Sequence, residues 1–340
     1  MPNLARRRGR PGDALRVVTL GELLAHPFRP RQHLLAPWLR EGESVMVWAA
    51  AGLGKTMLTL SMALAVAGGG EFLKWRNETP RRVLVVDGEM HAEDLRDRLR
   101  LLLPTVAGCD AAAAGGNLRL LARQFQDGDV AFPDLATPEG QDAVLAAIRE
   151  HEADLVVLDN FATLADVADE NEAAAMSPVL AFLLRLKQAG VACVLVHHSG
   201  KAGGSYRGSS KLATTFEVIL GLKLWEGAET GTGTAFETEW TKFRGAPSEA
   251  VRPALVRLED RRDGGAQWTA RPAESDDVRA LLDALRSGQH GSGREIAVAL
   301  EWDPSKVTRT KQAAIKAGKL TDAEWKDHLV DAQAGRVDAF

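Results

Sequence analysis

The 340-residue sequence contains two cysteines, one tyrosine and no apolar run long enough to cross a bilayer. Cys109 and Cys193 are too few and too widely separated for a disulfide framework or a zinc site, and such sparse cysteine is typical of a reducing compartment. The longest uncharged run, residues 57–70, is shorter than a membrane span, and no apolar segment follows the arginine-rich N-terminus. We therefore expect a cytoplasmic protein without a membrane partner.

The sequence also lacks a strong charge of either sign, since 42 Lys and Arg residues face 46 Asp and Glu residues. The net charge of −4 gives no global indication of nucleic-acid binding, so basic residues must be judged segment by segment. The length suits one large α/β domain with a small appendage. From composition we predict a disordered basic arm at residues 1–14, a main domain at 15–270 and a second domain at 271–340.

One segment of the main domain carries a clear chemical pattern. Residues 45–56 read Val-Met-Val-Trp-Ala-Ala-Ala-Gly-Leu-Gly-Lys-Thr, which predicts a buried strand, a glycine-containing loop and a helix. Such a loop turns backbone N–H groups and a helix N-terminus toward a nucleoside triphosphate, although Ala49 stands where the usual motif has its first glycine. Lys55 would reach the β- and γ-phosphates and Thr56 would offer Mg²⁺ a hydroxyl. We predict that ATP and Mg²⁺ bind through Ala50, Ala51, Gly52, Leu53, Gly54, Lys55, Thr56 and Met57.

Short apolar segments alternate with helical patterns on both sides of this loop. The predicted strands lie at residues 45–48, 82–86, 118–121, 155–158 and 191–196. Continuous apolar strands separated by helices indicate a parallel sheet covered on both faces. Later strands at 216–225, 235–243 and 254–258 have short connections, so we expect the sheet to end in antiparallel hairpins. The alanine- and glycine-rich residues 107–116 read as a loop.

Two carboxylates follow predicted core strands. Glu89 comes shortly after the strand at 82–86, and Asp159 comes directly after the strand at 155–158. ATP hydrolysis uses an aspartate in the Mg²⁺ shell and a second carboxylate that orients or deprotonates the attacking water. Taken alone, an acidic residue at a strand end is more often a solvated cap. Behind a phosphate-binding loop, we predict that Asp159 serves the metal and Glu89 the water.

A pair of histidines, His197 and His198, ends the strand at 191–196. Adjacent residues of a strand point to opposite faces, so the pair is poorly placed to chelate one metal ion. We favour a polar residue that senses the γ-phosphate, and keep metal binding as the alternative.

Residues 36–269 resemble the RecA-fold hexameric helicases, specifically the plasmid RepA type and, more distantly, the DnaB-type motor domain. The resemblance rests on Gly52 to Thr56, on Glu89 followed by Met90, and on Asp159. It implies a RecA-like P-loop NTPase core, a catalytic role for Glu89 and a Walker B role for Asp159. It further implies that His197 is the γ-phosphate sensor and that the protein is an ATPase forming a homohexameric ring on single-stranded DNA.

Two basic segments take their roles from the same resemblance. Lys242 and Arg244 match a Lys-x-Arg segment that reaches the ATP site of the neighbouring subunit, and both would project from one face of a strand. A solvated basic edge strand is the alternative. The flexible, basic residues 199–211 lie where the family has its DNA-facing loop, although Phe216 and Glu217 depart from the DnaB pattern nearby. There the predicted DNA contacts are Lys201, Tyr206, Arg207 and Lys211; an ordinary mobile loop is the alternative.

The two ends of the chain add weaker nucleic-acid signals. Residues 8–11, Arg-Gly-Arg-Pro, resemble the core of an AT-hook, with a nonspecific basic tail as the alternative. Near the C-terminus, Asp303 can cap a helix that opens with Pro304, after two earlier helices and a tight turn. We predict a small α-rich winged helix-turn-helix domain in which Lys306 and Arg309 contact duplex DNA. A protein-docking module is the alternative.

Two hypotheses of function remain open from sequence alone. The leading one is a ring-forming, Mg-ATP-driven motor on single-stranded DNA, such as the replicative helicase of a plasmid, phage or mobile element. The second is a DNA-bound regulatory or scaffolding ATPase that assembles with ATP but unwinds nothing. DNA-stimulated turnover with duplex unwinding favours the first hypothesis, and weak turnover with sequence-specific duplex binding favours the second.

Overall fold

The computed structural model describes residues 15–166, 177–198, 215–225, 234–262, 264–273 and 275–337. The chain divides into two compact units, Met1–Arg271 and Pro272–Phe340. Among the described residues, no helix is long and apolar enough to cross a membrane.

The first unit contains strands β1 to β13 and helices α1 to α7. The strands are β1 (His33–Leu35), β2 (Leu39–Arg40), β3 (Ser44–Ala49), β4 (Gly70–Phe72), β5 (Trp75–Asn77), β6 (Val83–Asp87), β7 (Leu118–Ala122), β8 (Leu155–Asp159), β9 (Ala192–His198), β10 (Val218–Leu224), β11 (Ala235–Phe243), β12 (Ala254–Asp260) and β13 (Ala266–Pro272). The helices are α1 (Leu20–Ala25), α2 (Lys55–Gly68), α3 (Ala92–Leu102), α4 (Ala111–Asn117), α5 (Pro138–His151), α6 (Phe161–Leu164) and α7 (Ser177–Gln188).

Nine strands form one sheet in the order β13-β12-β11-β10-β3-β9-β8-β6-β7. The strands from β10 to β7 in that order are parallel, whereas β11 pairs antiparallel with both β10 and β12. The prediction of a mostly parallel sheet that ends in antiparallel hairpins is therefore confirmed. The ribbons β1-β2 and β4-β5 are too short for the sequence pattern to reveal.

Two apolar cores lie on opposite faces of this sheet. Val45 and Val47 of β3 pack with α2 in one cluster, while Met46 and Trp48 pack with α5, α6 and α7 in the other. This division follows from the alternation of side chains along a strand. Both faces of β3 are covered, so the loop between β3 and α2 is anchored at each end in packed structure.

One loop prediction is wrong, because residues 111–117 form α4. The side chain of Asp110 accepts a hydrogen bond from the Ala113 N–H at 2.9 Å and caps the helix, whose alanines favour helical backbone. Close approach to α2 requires Gly68, where a Cβ would lie 2.3 Å from Cys109 Sγ. A cap and a packing surface therefore order a segment whose low complexity suggested a loop.

The second unit is helical in its described residues. Its helices are α8 (Asp276–Arg286), α9 (Gly293–Ala299), α10 (Pro304–Lys316) and α11 (Asp322–Val337). Leu281, Ile296, Val307 and Trp325 are among the residues of its apolar core. Asp303 caps α10 through the Ser305 N–H, as predicted from sequence. No strand occurs at residues 275–337, and α11 follows where a wing would lie, so the winged form of the prediction needs correction.

Candidate nucleotide site

The loop between β3 and α2 takes a shape that requires glycine. Gly52 has φ +80° and Gly54 has φ +90°, a left-handed backbone that other residues rarely adopt. Gly54 is constrained a second time, because a Cβ there would lie 2.0 Å from the side-chain Cγ2 of Thr234. The start of α2, with its unpaired N–H groups, is thereby left facing the cleft.

Lys55 lies inside this loop with 5% of its surface exposed. Its Nζ donates hydrogen bonds to the carbonyl oxygens of Ala49 and Ala50, each at 2.9 Å. Burial lowers the pKa of Lys55 to about 8, against the opposing effect of Asp159 and Glu89. A phosphate beside Nζ would stabilise the charged ammonium, so the residue fits the predicted role of phosphate ligand.

Asp159, at the carboxyl end of β8, is almost fully buried beside α2. Burial raises its pKa to about 6, while a hydrogen bond with the side chain of Thr56 acts in the opposite direction. Within the described structure, Asp159 Oδ2 is buried and has no hydrogen-bond partner. Mg²⁺ takes one or two carboxylates together with hydroxyl, phosphate and water oxygens. An unsatisfied carboxylate oxygen beside the Thr56 hydroxyl fits that ion.

Glu89 lies in a turn that follows β6. Asp87 Oδ1 accepts hydrogen bonds from the N–H groups of Glu89 and Met90, at 3.1 and 2.7 Å. Asn160 Nδ2 donates to Glu89 Oε2 at 2.8 Å. The sequence analysis missed Asp87 and Asn160. Their positions in the sequence could have identified them, because Asp87 is two residues before Glu89 and Asn160 directly follows Asp159. In the sheet, Asp87 pairs in register with Asp159.

The two histidines occupy different environments. His197 is 3% exposed, and its ring packs edge-on against Phe161 with centroids 5.4 Å apart. His198 lines the cleft, where burial lowers its pKa, Lys55 adds to this effect and Glu89 opposes it. The structure thus brings His198, and not the predicted His197, to the cleft. The reason is strand parity, because a shift of one residue moves a side chain to the other face.

These groups line one cleft of about 790 Å³ at the carboxyl ends of the parallel strands. Its lining includes residues of the loop together with Asp87, Glu89, Asp159, Asn160 and His198. The walls beyond the loop come from α3 with its preceding turn and from β12 with the start of β11: Met90, His91, Asp94, Arg98, Leu101, Thr234, Leu258 and Asp260. Carboxyl edges of open parallel sheets are the usual site of nucleotide binding.

Lys242 and Arg244 do not line this cleft. Lys242 pairs with Ile219 near the start of β10, and Arg244 Nη1 lies 3.8 Å from Glu217 Oε1. Lys187 Nζ lies 2.6 Å from the same oxygen, and the Ser44 N–H donates to Glu217 Oε2 at 2.9 Å. This cation cluster, Lys187, Lys242 and Arg244 around Glu217, is at the amino edge of the sheet. Strand β3 begins at Ser44 and ends at Ala49, so the loop that follows it begins roughly 16 Å along the strand from Ser44.

The remaining predicted contacts are distributed as follows. Lys201, Tyr206, Arg207 and Lys211, together with residues 8–11, lie outside the described residues. In the second unit, Lys306 Nζ lies 2.8 Å from Asp277 Oδ1 and 4.3 Å from the ring centroid of Trp302, and Arg309 is exposed. Lys306 therefore contacts an acidic and an aromatic side chain of its own unit.

A family model described as AAA domain (AAA_25) matches residues 8–204, more than half of the 340 residues. The chain belongs to this AAA domain family. Its structure is also similar to that of a KaiC-like protein from the hyperthermophilic archaeon Pyrococcus horikoshii OT3, with a TM-score of 0.50 and 16% sequence identity, covering 70% of this chain and 94% of that chain. At that identity the likeness shows the RecA-like fold alone. Curated proteins gave no match.

The AAA domain chain is thus a P-loop ATPase, a class that binds ATP with Mg²⁺. Lys55 and the loop N–H groups are placed to hold phosphate oxygens. Thr56 and Asp159 are placed to hold Mg²⁺, which when bound neutralises charge that develops on the phosphates. Glu89 offers a carboxylate oxygen that can accept a proton from the attacking water, and His198 lines the same cleft with a pKa lowered by burial.

Proposed function

We propose that the protein is a Mg-ATP-driven motor that assembles as a homohexameric ring and acts on single-stranded DNA as the replicative helicase of a plasmid, phage or mobile element. The observation that carries this proposal is the separation of its charged groups. Arg244 contacts Glu217, which accepts the Ser44 N–H roughly 16 Å along β3 from the chain's own loop, and Lys242 lies level with Met46, roughly 10 Å from that loop. They do not line that site, and in the proposed ring they would approach a γ-phosphate held by a neighbouring copy.

The N-terminal segment at residues 15–28 supports self-association. Helix α1 has no buried residue, although reciprocal hydrogen bonds between Thr19 and Glu22 cap it. Leu15, Leu24 and Phe28 are 95%, 76% and 66% exposed. Large apolar side chains concentrated on one exposed segment suit contact with another protein surface. In this proposal that surface is a second copy of the chain.

The DNA part of the proposal has a different support. Residues 199–211 follow directly on β9, whose last residue, His198, lines the nucleotide cleft. A DNA-binding loop at that position would be connected to the state of the nucleotide through a single strand. The basic residues Lys201, Arg207 and Lys211, with Tyr206, suit a single-stranded backbone and a stacked base.

The proposal is tested by measuring the size of the assembly together with ATP hydrolysis and duplex unwinding. We expect a nonhydrolysable ATP analogue to convert the purified protein to a ring-sized species in light scattering. Single-stranded DNA should stimulate ATP hydrolysis and a forked duplex should be unwound. Replacing both Leu24 and Phe28 with serine should weaken assembly, whereas serine at the exposed Leu184 on α7 should not. A monomer that hydrolyses ATP at an unchanged rate with and without DNA would contradict the proposal.

The second candidate function, a DNA-bound regulatory or scaffolding ATPase, rests on the C-terminal unit. Helices α9 and α10 are joined by a short turn, which is compatible with the predicted helix-turn-helix, and Arg309 is exposed on α10. Sequence-specific binding of a short duplex that is lost in Arg309→Ala, together with absent unwinding, would favour this candidate. Binding that is nonspecific and salt-dependent would leave the motor as the better account.

A further inference from the structure

The side-chain amide of Asn160 makes a hydrogen bond at each end. Asn160 follows Asp159 at the end of β8 and is 3% exposed. Its Oδ1 accepts from the Thr163 N–H at 3.3 Å as the cap of α6, and its Nδ2 donates to Glu89 Oε2 at 2.8 Å. Because an N–H group occupies the amide oxygen, the amide orientation is fixed and its NH₂ group must face Glu89.

The backbone before and after Glu89 is held by other groups. Asp87 accepts the N–H groups of Glu89 and Met90, and the Gly88 N–H donates to the Asp159 carbonyl at 2.9 Å. A Cβ at Gly88 would lie 2.3 Å from Thr163 Oγ1, so the turn packs directly against α6. With the backbone fixed in this way, the direction of the Glu89 carboxylate remains to be set.

We propose that Asn160 is a positioning residue for ATP hydrolysis, whose Nδ2–H group holds the Glu89 carboxylate where it can orient the attacking water. The inference rests on the proposed hydrolytic site. Asp87 and Asp159 are further carboxylates in the same cleft, and their repulsion favours rotation of Glu89 toward solvent. A neutral donor opposes this rotation without adding a cation that would compete with Lys55 for phosphate. An aspartate at position 160 would cap α6 equally well but would repel Glu89.

The experiment uses the full-length protein and separates capping from positioning. Asn160→Asp and Asn160→Ser both keep a capping oxygen, while only the first adds a charge, and neither can donate as the amide does. Thr163→Val is the matched control, because Thr163 shares the cap of α6 and its hydroxyl bonds to the Asn160 backbone rather than to the Glu89 carboxylate. Nucleotide affinity is measured with a fluorescent ATP analogue and turnover by phosphate release, first alone and then in a Glu89→Gln background.

We expect Asn160→Asp to reduce turnover by about 10², because misplacement of a reacting group by about 1 Å has effects of that size. Asn160→Ser should reduce turnover less, nucleotide affinity should stay within about threefold of the parent chain, and Thr163→Val should keep normal turnover. In the Glu89→Gln background, Asn160→Asp should cause no further loss, since the carboxylate that it positions is absent. Equal losses in both backgrounds, or a similar loss in Thr163→Val, would overturn the inference. If Glu89→Gln itself hydrolyses ATP normally, the proposed site fails instead.

Discussion

At the carboxyl edge of the parallel strands Lys55 and Asp159 are buried, whereas the cation cluster at the amino edge is partly exposed. Lys55 and Asp159 are 5% and 6% exposed. Burial lowers the pKa of Lys55 and raises the pKa of Asp159, so in each case it favours the neutral form. At the other edge, the side chain of Arg244 is 56% exposed and contacts Glu217. Burying an unpaired charge costs free energy. A charged ligand that binds between two such groups pairs with them and offsets that cost. Arg244 needs no such ligand, because solvent and Glu217 already stabilise its charge.

We expect the buried charged groups of the carboxyl edge to be indispensable for ATP hydrolysis. Lys55→Ala should abolish nucleotide-dependent activity while the fold persists, because the ammonium donates to the loop carbonyls of Ala49 and Ala50 and Lys55 belongs to neither apolar core of the sheet. ATP hydrolysis, nucleotide binding and circular dichroism provide the measurements. The exposed Lys74→Ala is the matched control and should behave as the parent chain. Normal ATPase in Lys55→Ala, or an unfolded chain, would show that the loop is wrongly assigned.

The exposed edge should act between chains. If Arg244 completes a neighbour's site, Arg244→Ala should bind ATP almost normally and lose up to about 10³ in turnover. Arg252→Ala, which removes another exposed arginine of the same unit, should have no such effect.

Mixing two inactive variants tests whether Arg244 acts on its own chain or on a neighbouring one. Arg244→Ala chains that keep Lys55 should regain ATPase when mixed with Lys55→Ala chains that keep Arg244, since some interfaces then join an intact loop to an intact arginine. Demonstrated co-assembly without any recovery would remove the trans-acting role, and the regulatory hypothesis would become the better account.

Glu217 joins the cation cluster to β3, the strand that leads into the nucleotide loop, because it contacts both the cluster and the first residue of β3. Glu217→Gln keeps an acceptor for the Ser44 N–H but loses the charge that attracts Lys187 and Arg244. We expect turnover to fall by about tenfold through loss of positioning, with nucleotide affinity unchanged. Glu239→Gln is the matched control, since it breaks a different ion pair of the same hairpin, with Lys223. Additive losses in Glu217→Gln combined with Arg244→Ala would contradict a shared role.

The smallest expected effect concerns stability. Asp159 has a raised pKa in the folded chain, so folding binds its proton more tightly, and the destabilisation present at neutral pH is relieved as pH falls from about 6 toward 3.8. Asp159→Asn should therefore raise the melting temperature of the nucleotide-free protein at pH 8 by a few degrees, on a scale of about 2–4 °C per kcal/mol. The gain should shrink below pH 5, and stabilisation by Mg-ATP should be lost.

Differential scanning calorimetry measures both the pH dependence and the effect of Mg-ATP. The exposed Asp127→Asn should leave both unchanged. A lower melting temperature for Asp159→Asn at pH 8 would show that the buried carboxylate stabilises the fold through its contacts.

Local pattern was sufficient for much of the fold and part of the site. Strand β3, the loop and α2 were predictable because period, glycine and burial agree over adjacent residues. Glu89 and Asp159 were predictable as cleft residues because parallel strands bring their carboxyl ends to one edge. His198 was missed because its selection over His197 depends on which face the last residue of β9 presents, a matter of parity. Helix α4 was missed because its packing partner, Gly68, is distant in sequence.

The sequence by itself determined the phosphate-binding loop, the parallel sheet and its antiparallel end, since these follow from the order of apolar segments and glycines along the chain. Only the tertiary structure decided that Asn160 contacts Glu89, that Glu217 gathers Lys187 and Arg244, and that Lys242 and Arg244 lie far from the chain's own loop. The physical reason is range. Hydrogen bonds and ion pairs act over a few ångströms between residues separated by 27 to 71 positions in sequence, and no local pattern specifies which of them meet.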